Sequence, residues 1–266
     1  MLRPGVRGKF DPWLPSGLGW LGPEERYAFP HPRRADPGGF LALGGSLSPG
    51  MLLSAYEQGI FPWFEQEGFI HWFSPDPRFV LLPEELHIPR RLRRSLKGSG
   101  RFFSFDRAFS QVIRLCAEIP RGDQGTWITL PFIEGYTELH RLGFAHSLEV
   151  WRPGPETGPS GGDPETGAGA ILDGGLYGIS LGSAFFGESM FSLSPGASKE
   201  AFVWLARFLG RENFTLLDCQ VESPHLLGLG AKNVPRGEYL RLLEAALSVP
   251  PRRGSWDRGF FRQFPI

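Results

Sequence analysis

The pattern of apolar and polar positions predicts a chain of mixed helices and strands. Apolar residues recur at helical spacing in five segments, which predicts helices over 49–59, 105–119, 129–143, 197–210 and 234–249. Ser48 stands at the N-cap position of the first helix, and Leu52, Leu53 and Tyr56 would form its apolar face. Alternating or short apolar runs predict strands over 145–152, 169–182, 183–191 and 214–221.

The order of these elements predicts the fold class and the domains. Antiparallel strands followed by a helix and one more strand indicate an α+β fold with a mostly antiparallel sheet flanked by helices. The stretch 61–83 is dense in aromatic residues and prolines and predicts a short strand pair before a boundary near Asp76. We therefore expect a small α+β domain over residues 1–76 and a larger domain over 77–266.

Two segments have the composition of irregular structure. Residues 1–26 are rich in glycine and proline and are predicted to form an arm that packs through Trp13 and Trp20. Residues 153–168 contain the tetrapeptide PETG twice and are predicted to be a mobile, dispensable hairpin tip. Neither segment indicates a function.

Composition excludes several classes of protein. The 28 basic residues balance the 28 acidic ones, so no global charge draws the chain to nucleic acid or to a membrane. The two cysteines lack metal-ligand spacing and are typical of a reducing compartment. No apolar segment approaches the ~20 residues of a membrane span. These features predict a soluble, cytoplasmic protein without metal or cofactor.

One dense cationic stretch, IPRRLRRSLKGSGR, is the candidate site for an anionic partner. Its basic residues are Arg90, Arg91, Arg93, Arg94, Lys97 and Arg101. They are consistent either with a solvated helix face or with contacts to the phosphate backbone of a nucleic acid.

Three polar residues on predicted strands are the candidates for chemistry. Strand alternation places Glu188 on one face with Phe186 and Met190, where a carboxylate is costly unless it is paired. In LLDCQV, alternation puts Asp218 and Gln220 on one face and Cys219 on the other. We therefore interpret Cys219 as a packing residue rather than a nucleophile.

Other catalytic classes lack their motifs. No serine occupies a G-x-S-x-G elbow, and Ser198, or a residue just before it, is positioned to cap the helix that begins at ASKEAF. The SPGAS stretch is not a phosphate-binding loop, and the histidines have no metal-ligand spacing. These observations disfavour a serine hydrolase and give nucleotide binding little support.

Many spaced blocks together resemble a known family. GGSLSP, AYEQGIFPWF, WFSPDPRFVL, TWI, LHRLGFAHSLEVW, GGLYGISLG, FFGESMFS, GASK and LLDCQ occur in this order. They are similar to the leucyl/phenylalanyl-tRNA–protein transferases. The resemblance implies a C-terminal domain of the acetyltransferase-like (GNAT) fold. It also implies transfer of Leu, Phe or less readily Met from aminoacyl-tRNA to proteins beginning with Arg or Lys, which marks them for N-end-rule degradation.

The resemblance also implies roles for individual residues. It places Asp218, Gln220 and Glu188 at the catalytic site. It assigns substrate binding to Trp63, Trp127, Leu176, Phe185, Met190, Ser192 and Leu205. With tRNA as a substrate, phosphate contacts by Arg90, Arg91, Arg93 and Arg94 become the functional hypothesis for the cationic stretch.

The implied reaction requires few catalytic groups. An aminoacyl ester is already activated, so the enzyme must orient two substrates and help a proton to leave the attacking amine. We expect Gln220 to orient the amine, Asp218 to accept or relay the proton, and Glu188 to hold an ammonium group or the terminal adenosine. Two alternatives remain: an acyl-coenzyme A-dependent N-acetyltransferase, and a noncatalytic module that binds RNA or peptide.

Overall fold

The computed structural model describes residues 12–15, 18–119, 126–154 and 167–261. The chain divides into two compact units, Met1–Pro75 and Asp76–Ile266. Helices and strands are mixed in both units, which confirms the predicted α+β class.

The first unit is built on a three-stranded antiparallel sheet. Its described elements are a 3-10 helix (Pro32–Arg34), β1 (Phe40–Leu43), α1 (Pro49–Glu57), β2 (Phe61–Gln66) and β3 (Phe69–Phe73). The strand order is β1-β3-β2, so β2 and β3 form the predicted strand pair. β1 was not predicted, because four apolar residues between glycines are too few to show a period.

Helix α1 differs from the amphipathic helix that the sequence predicts. Every residue from Pro49 to Tyr56 is buried, so the helix has no solvent face. Ser48 is the N-cap residue, but its side chain makes no capping bond. In the arm, Trp13 packs edge-on against Phe69 at 5.0 Å, whereas Trp20 is 67% exposed and does not pack as predicted.

The second unit contains a seven-stranded sheet among its described residues. Its strands are β4 (Arg78–Leu81), β5 (Phe102–Phe105), β6 (Ala145–Pro153), β7 (Ala170–Leu181), β8 (Ala184–Ser192), β9 (Leu216–Gln220) and β10 (Lys232–Val234). Their order is β10-β4-β9-β8-β7-β6-β5, and all neighbours are antiparallel except β8 and β9. The four strands predicted between 145 and 221 are confirmed, and the short β4, β5 and β10 complete the sheet.

Helices cover both faces of this sheet. They are α2 (Arg90–Gly98), α3 (Phe109–Glu118), α4 (Leu130–Arg141), α5 (Ala197–Arg211), the short α6 (Pro224–Leu227) and α7 (Arg236–Leu247), with a 3-10 turn at Pro83–Glu85. Helix α5 packs over one face, and α3 and α4 pack over the other. The helices predicted from apolar periodicity are confirmed. Most of the predicted hairpin tip, residues 155–166, lies outside the described residues.

Candidate active site

The candidate site lies where two parallel strands separate. β8 and β9 pair at only three positions, from Ala184 with Leu216 to Phe186 with Asp218. β8 then continues to Ser192 without β9 beside it. The β8 segment 187–190 is only half-buried, whereas residues 184–186 are buried. The end of the pairing therefore leaves a gap between β8 and β9 beyond Phe186 and Asp218, which we call the crevice.

A β-bulge directs Glu188 into this crevice. Tyr177 of β7 lies opposite Ser189, and the next residue, Gly178, lies opposite Gly187, which leaves Glu188 as the extra residue. The bulge breaks the strict alternation that the sequence analysis assumed. The prediction that Met190 shares a face with Glu188 is therefore wrong.

The carboxylate of Glu188 receives two hydrogen bonds within the second unit. Gln220 Nε2 donates to Glu188 Oε1 at 2.9 Å, and Tyr136 Oη donates to Glu188 Oε2 at 2.9 Å. The first bond bridges the gap between β8 and β9 just beyond their last backbone pair. The structure thus brings Glu188 and Gln220 together, which agrees with the site that the family resemblance implies.

Asp218 lies beside them but is completely buried. Arg78 of β4 donates to both carboxylate oxygens, with Nε to Oδ1 at 2.9 Å and Nη2 to Oδ2 at 2.7 Å. Tyr239 Oη of α7 donates to Oδ2 at 2.8 Å, and the backbone N–H of Gln220 donates to Oδ1 at 2.9 Å. Neither Asp218 nor Arg78 has exposed side-chain surface. Asp218 therefore has four hydrogen bonds within the protein.

This buried cluster controls the backbone at the end of β9. Gln220 has a positive φ of 62°, a conformation that L side chains rarely adopt and that costs free energy unless its surroundings enforce it. The Asp218 carboxylate holds the Gln220 N–H in that conformation. The Arg78 guanidinium lies 4.6 Å from the centre of the Tyr239 ring, and burial raises the pKa of Tyr239 well above its usual value. Tyr239 therefore stays a neutral donor to Asp218.

Cys219 faces away from this cluster, as alternation predicts. Its side chain packs against the apolar cluster beneath α5. Burial, with the nearby Asp218 charge, raises the pKa of the Cys219 thiol well above its usual value. A thiol that stays protonated is a poor nucleophile, which supports the packing role.

The predicted apolar binding residues collect on the α5 side of the sheet. Leu176, Phe185 and Leu205 are buried in one cluster, and Met190 packs against it with partial exposure. Leu176 and Met190 are paired across β7 and β8. These four side chains therefore form one apolar surface that reaches the half-buried segment of β8.

Ser192 has a structural contact at the start of α5. Its Oγ accepts a hydrogen bond from the Ser198 N–H at 3.2 Å and donates to the Ser194 carbonyl at 2.7 Å. The N-cap residue is Gly196, with φ 88°, and it makes no side-chain capping bond. The N-cap residue thus lies just before Ser198, as predicted, whereas the side-chain capping contact comes from Ser192, six residues upstream.

The two tryptophans lie in different units. Trp127 is half-buried and packs edge-on against Phe132 at 5.3 Å, and Phe132 in turn stacks near Tyr136. Aromatic contacts thus connect Trp127 to the donor of the Glu188 hydrogen bond. Trp63 is in the first unit, where its ring packs edge-on against Phe73 at 4.8 Å.

The predicted basic segment separates into a surface and a structural part. Arg90, Arg91, Arg93 and Arg94 are exposed on α2, whose leucines pack against the core. Arg101 instead makes ion pairs of 2.8 Å with the buried Asp173 and Glu200. Its inclusion in the cationic surface was wrong, because its charge is neutralised inside the fold.

Sequence reasoning missed three members of the site. They are Arg78, Tyr136 and Tyr239. Arg78 had a local signal, since it is a charged residue that opens an apolar strand. The two tyrosines are single polar groups on predicted helices, and only the packing of α4 and α7 against the sheet shows their partners.

Neither a metal centre nor a membrane span occurs among the residues that the structure describes. Within them, no three histidine, cysteine or acidic side chains form a group able to hold a metal ion. None of the helices in the described segments combines the length and the apolar character that crossing a membrane requires.

Comparison with known proteins places this site in a family context. Residues 80–244 match the family described as leucyl/phenylalanyl-tRNA protein transferase, and residues 45–76 match the N-terminal domain of the same family. The chain belongs to this family. Glu188, Asp218 and Gln220 lie within the longer matched range, and Arg78 lies between the two.

Relatives from several bacteria extend the match over most of the chain. A leucyl/phenylalanyl-tRNA–protein transferase of Anaeromyxobacter sp. (strain K) is 50% identical over 233 residues, which cover 87% of this chain and 93% of the relative. The proteins of the same name from Myxococcus xanthus (strain DK1622) and Hahella chejuensis (strain KCTC 2396) are 48% and 46% identical, over 90% and 85% of this chain and 96% and 90% of the relatives. The family membership thus extends to nearly the whole length of these transferases.

Proposed function

We propose that this protein is an aminoacyltransferase that moves leucine or phenylalanine, and less readily methionine, from aminoacyl-tRNA to proteins with an N-terminal Arg or Lys. Such transfer would mark the acceptor for N-end-rule degradation in the cytoplasm. The observation that carries the proposal is the Glu188–Gln220 hydrogen bond across the crevice between β8 and β9. It places a carboxylate and an amide together where β8 and β9 separate, in a chain of the transferase family.

The chemistry requires an amine to meet the ester carbon. The amine nitrogen forms the new amide bond, the ester C–O bond breaks, and the ribose oxygen takes up one proton. An α-amino group has a pKa near ~8, so at neutral pH the ammonium form must also release a second proton, to water, before the amine attacks. We assign the capture of this ammonium group to Glu188, the half-buried carboxylate of the site, and the orientation of the amine to Gln220.

The contacts of Asp218 support a different role from the proton acceptor that the sequence suggested. Four protein hydrogen bonds and complete burial separate its carboxylate from any incoming amine. We therefore propose Asp218 as a positioning residue, which keeps the Gln220 backbone in its left-handed conformation so that the amide reaches Glu188.

Selection of the amino acid is assigned to the apolar surface beneath α5. Leu176, Phe185, Met190 and Leu205 combine rigid and flexible side chains, and methionine adapts readily to irregular shapes. Such a surface accepts both leucine and phenylalanine, while β-branched side chains would collide near Cβ. Discrimination of ~1–3 kcal/mol is what an apolar pocket supplies for small changes of this kind.

The remaining assignments follow the same proposal. Arg90, Arg91, Arg93 and Arg94 would contact tRNA phosphates, and Trp63 and Trp127 would contact the substrate, with adenine stacking as their chemistry. We propose that the two units correspond to an N-terminal domain and a GNAT-like catalytic domain. The mostly antiparallel sheet, with one parallel pair that separates at the site, supports this fold assignment.

The decisive experiment supplies both substrates. The protein is incubated with leucyl-tRNA and a peptide that begins with Arg, and the products are analysed by mass spectrometry. We expect a peptide longer by one leucine. A parallel reaction with acetyl-coenzyme A separates the acetyltransferase alternative, and binding without any new product would indicate the noncatalytic module.

Matched variants connect the product to the site. Glu188→Gln and Gln220→Ala should each reduce the transfer rate, because each removes one side of the bridge across the crevice. Cys219→Ala, between the two polar strand positions but facing the other way, should retain transfer. If all three variants transferred leucine at the wild-type rate, the site would lie elsewhere.

A further inference from the structure

A second concave site lies beside the C-terminal half of α5. The groove is formed by residues 83–93 on one side and by the C-terminal half of α5 and the following loop on the other, with a cavity volume of about 720 Å³. Its polar lining includes Arg93, Arg207, Arg211, Asn213 and Thr215. None of these residues belongs to the crevice between β8 and β9.

The arginines of the groove are close enough to repel one another. Burial, together with the nearby positive charges of Arg93 and Arg211, lowers the pKa of Arg207. Within the described part of the chain, no ion pair joins Arg93 or Arg207 to an acidic side chain. Glu84 also lines the groove, but it is exposed.

Arg211 and Arg207 lie in different electrostatic surroundings on α5. Arg211 lies in the last turn of α5, where the helix dipole favours a cation. Arg207 lies one turn earlier, half-buried, with its guanidinium carbon 5.5 Å from the centre of the Trp204 ring. A cation held near two others without a counter-ion is electrostatically unfavourable, and a bound anion would relieve the repulsion.

The shape of the charged region favours an extended anion. Arg93 belongs both to the groove and to the exposed face of α2, where Arg90, Arg91 and Arg94 continue the positive charge. A single phosphate would contact only some of these arginines, whereas a phosphodiester backbone supplies successive negative charges to all of them. Guanidinium groups also match phosphate oxygens in bidentate geometry.

We propose that the groove between α2 and α5 binds the phosphodiester backbone of the RNA substrate, with Arg93 and Arg207 as contacts on opposite walls. The inference rests on the proposed function, because it takes aminoacyl-tRNA as the source of the backbone. It extends the proposed RNA-contacting surface from the stretch on α2 to α5, the helix that also contributes Leu205 to the apolar binding surface.

The test measures tRNA affinity against salt. Binding of fluorescently labelled tRNA is followed by anisotropy between 50 and 200 mM KCl, values at which phosphate contacts strongly affect affinity. Arg207→Ala should weaken binding and reduce the slope of log K against log salt by about 0.7–0.9, as expected for one lost phosphate contact. Arg207→Lys, which keeps the charge, should retain most of the slope. Arg114→Ala, an exposed arginine on α3 over the opposite face of the sheet, is the matched control.

The outcomes separate the groove from the catalytic proposal. If the wild-type protein transfers leucine but Arg207→Ala binds tRNA with the wild-type affinity and salt slope, the groove is not an RNA contact. Tight binding of pyrophosphate that tRNA does not displace would also overturn the inference in favour of a small-anion site. Failure of the wild-type protein to transfer leucine would reject the proposed function instead. Because Arg207→Ala removes repulsion, its thermal stability should equal or exceed that of the wild type, which excludes misfolding as the cause of weaker binding.

Discussion

Replacing Asp218 by asparagine tests whether this carboxylate positions Gln220 or acts on the substrate. The substitution keeps the size of the side chain but removes the negative charge that pairs with the fully buried Arg78 guanidinium. Removing one partner of a buried ion pair costs about 3–5 kcal/mol. At roughly 2–4 °C per kcal/mol for a chain near this size, the melting temperature should fall by about 6–20 °C.

Two further variants show which interactions account for this loss of stability. Tyr239→Phe removes a single hydrogen bond to the same carboxylate and should cost about 1.5–3 kcal/mol. The double variant Arg78→Met with Asp218→Leu removes both buried charges and should be less destabilised than Asp218→Asn. Urea unfolding of the four proteins, followed by tryptophan fluorescence, gives the free energies, and leucine transfer to an Arg-starting peptide gives the activity.

The two roles of Asp218 predict different combinations of results. If Asp218 positions Gln220, Asp218→Asn should lower both the free energy of unfolding and the rate of leucine transfer. Tyr239→Phe should then lower both quantities by a smaller amount. If Asp218 instead accepts the proton of the amine, Asp218→Asn should abolish leucine transfer while its free energy of unfolding stays near the wild-type value. Wild-type stability in Asp218→Asn would therefore refute our argument and restore the proton-accepting role.

Three further predictions concern groups outside the Asp218 cluster. Burial raises the pKa of Glu149 from its ordinary 4.5 to about 7, so the folded state holds a proton that the unfolded state releases, and stability falls as pH rises from about 4.5 to 7. Glu149→Gln should abolish this loss of about 3 kcal/mol, which urea unfolding at pH 5 and pH 8 measures. The prediction is wrong if the free energy of unfolding changes equally with pH in the variant and in the wild type. Arg101→Met removes the cation shared by the buried Asp173 and Glu200, so that Asp173 keeps only its 3.4 Å ion pair with Arg152, and should cost about 3–5 kcal/mol in thermal unfolding. Arg141→Met, whose ion pair with Glu138 is exposed, should leave the melting temperature nearly unchanged. The raised pKa of Cys219 predicts that native protein resists iodoacetamide at this thiol at pH 7.5, and rapid alkylation located there by peptide mapping would count against it.

Some features of the site could be predicted from the sequence because they depend on local periodicity. Alternation along a strand is a property of the backbone, so the opposite orientations of Asp218 and Cys219 follow from their adjacency in LLDCQ. The same applies to α5 and α7, whose apolar spacing appears directly in the sequence. The family resemblance rested on short blocks in order, and the match over most of the chain confirms it.

Other features depend on contacts between residues distant in the sequence. The bulge at Glu188 appears only when β8 is aligned with β7, since one extra residue on one strand leaves no local signal. The ion pair between Arg78 and Asp218 spans 140 positions and exists because β4 lies beside β9. Periodicity therefore determined which segments form helices and strands, while strand order and register decided which polar groups meet, because hydrogen bonds and charges act over a few ångströms in space whatever their separation along the chain.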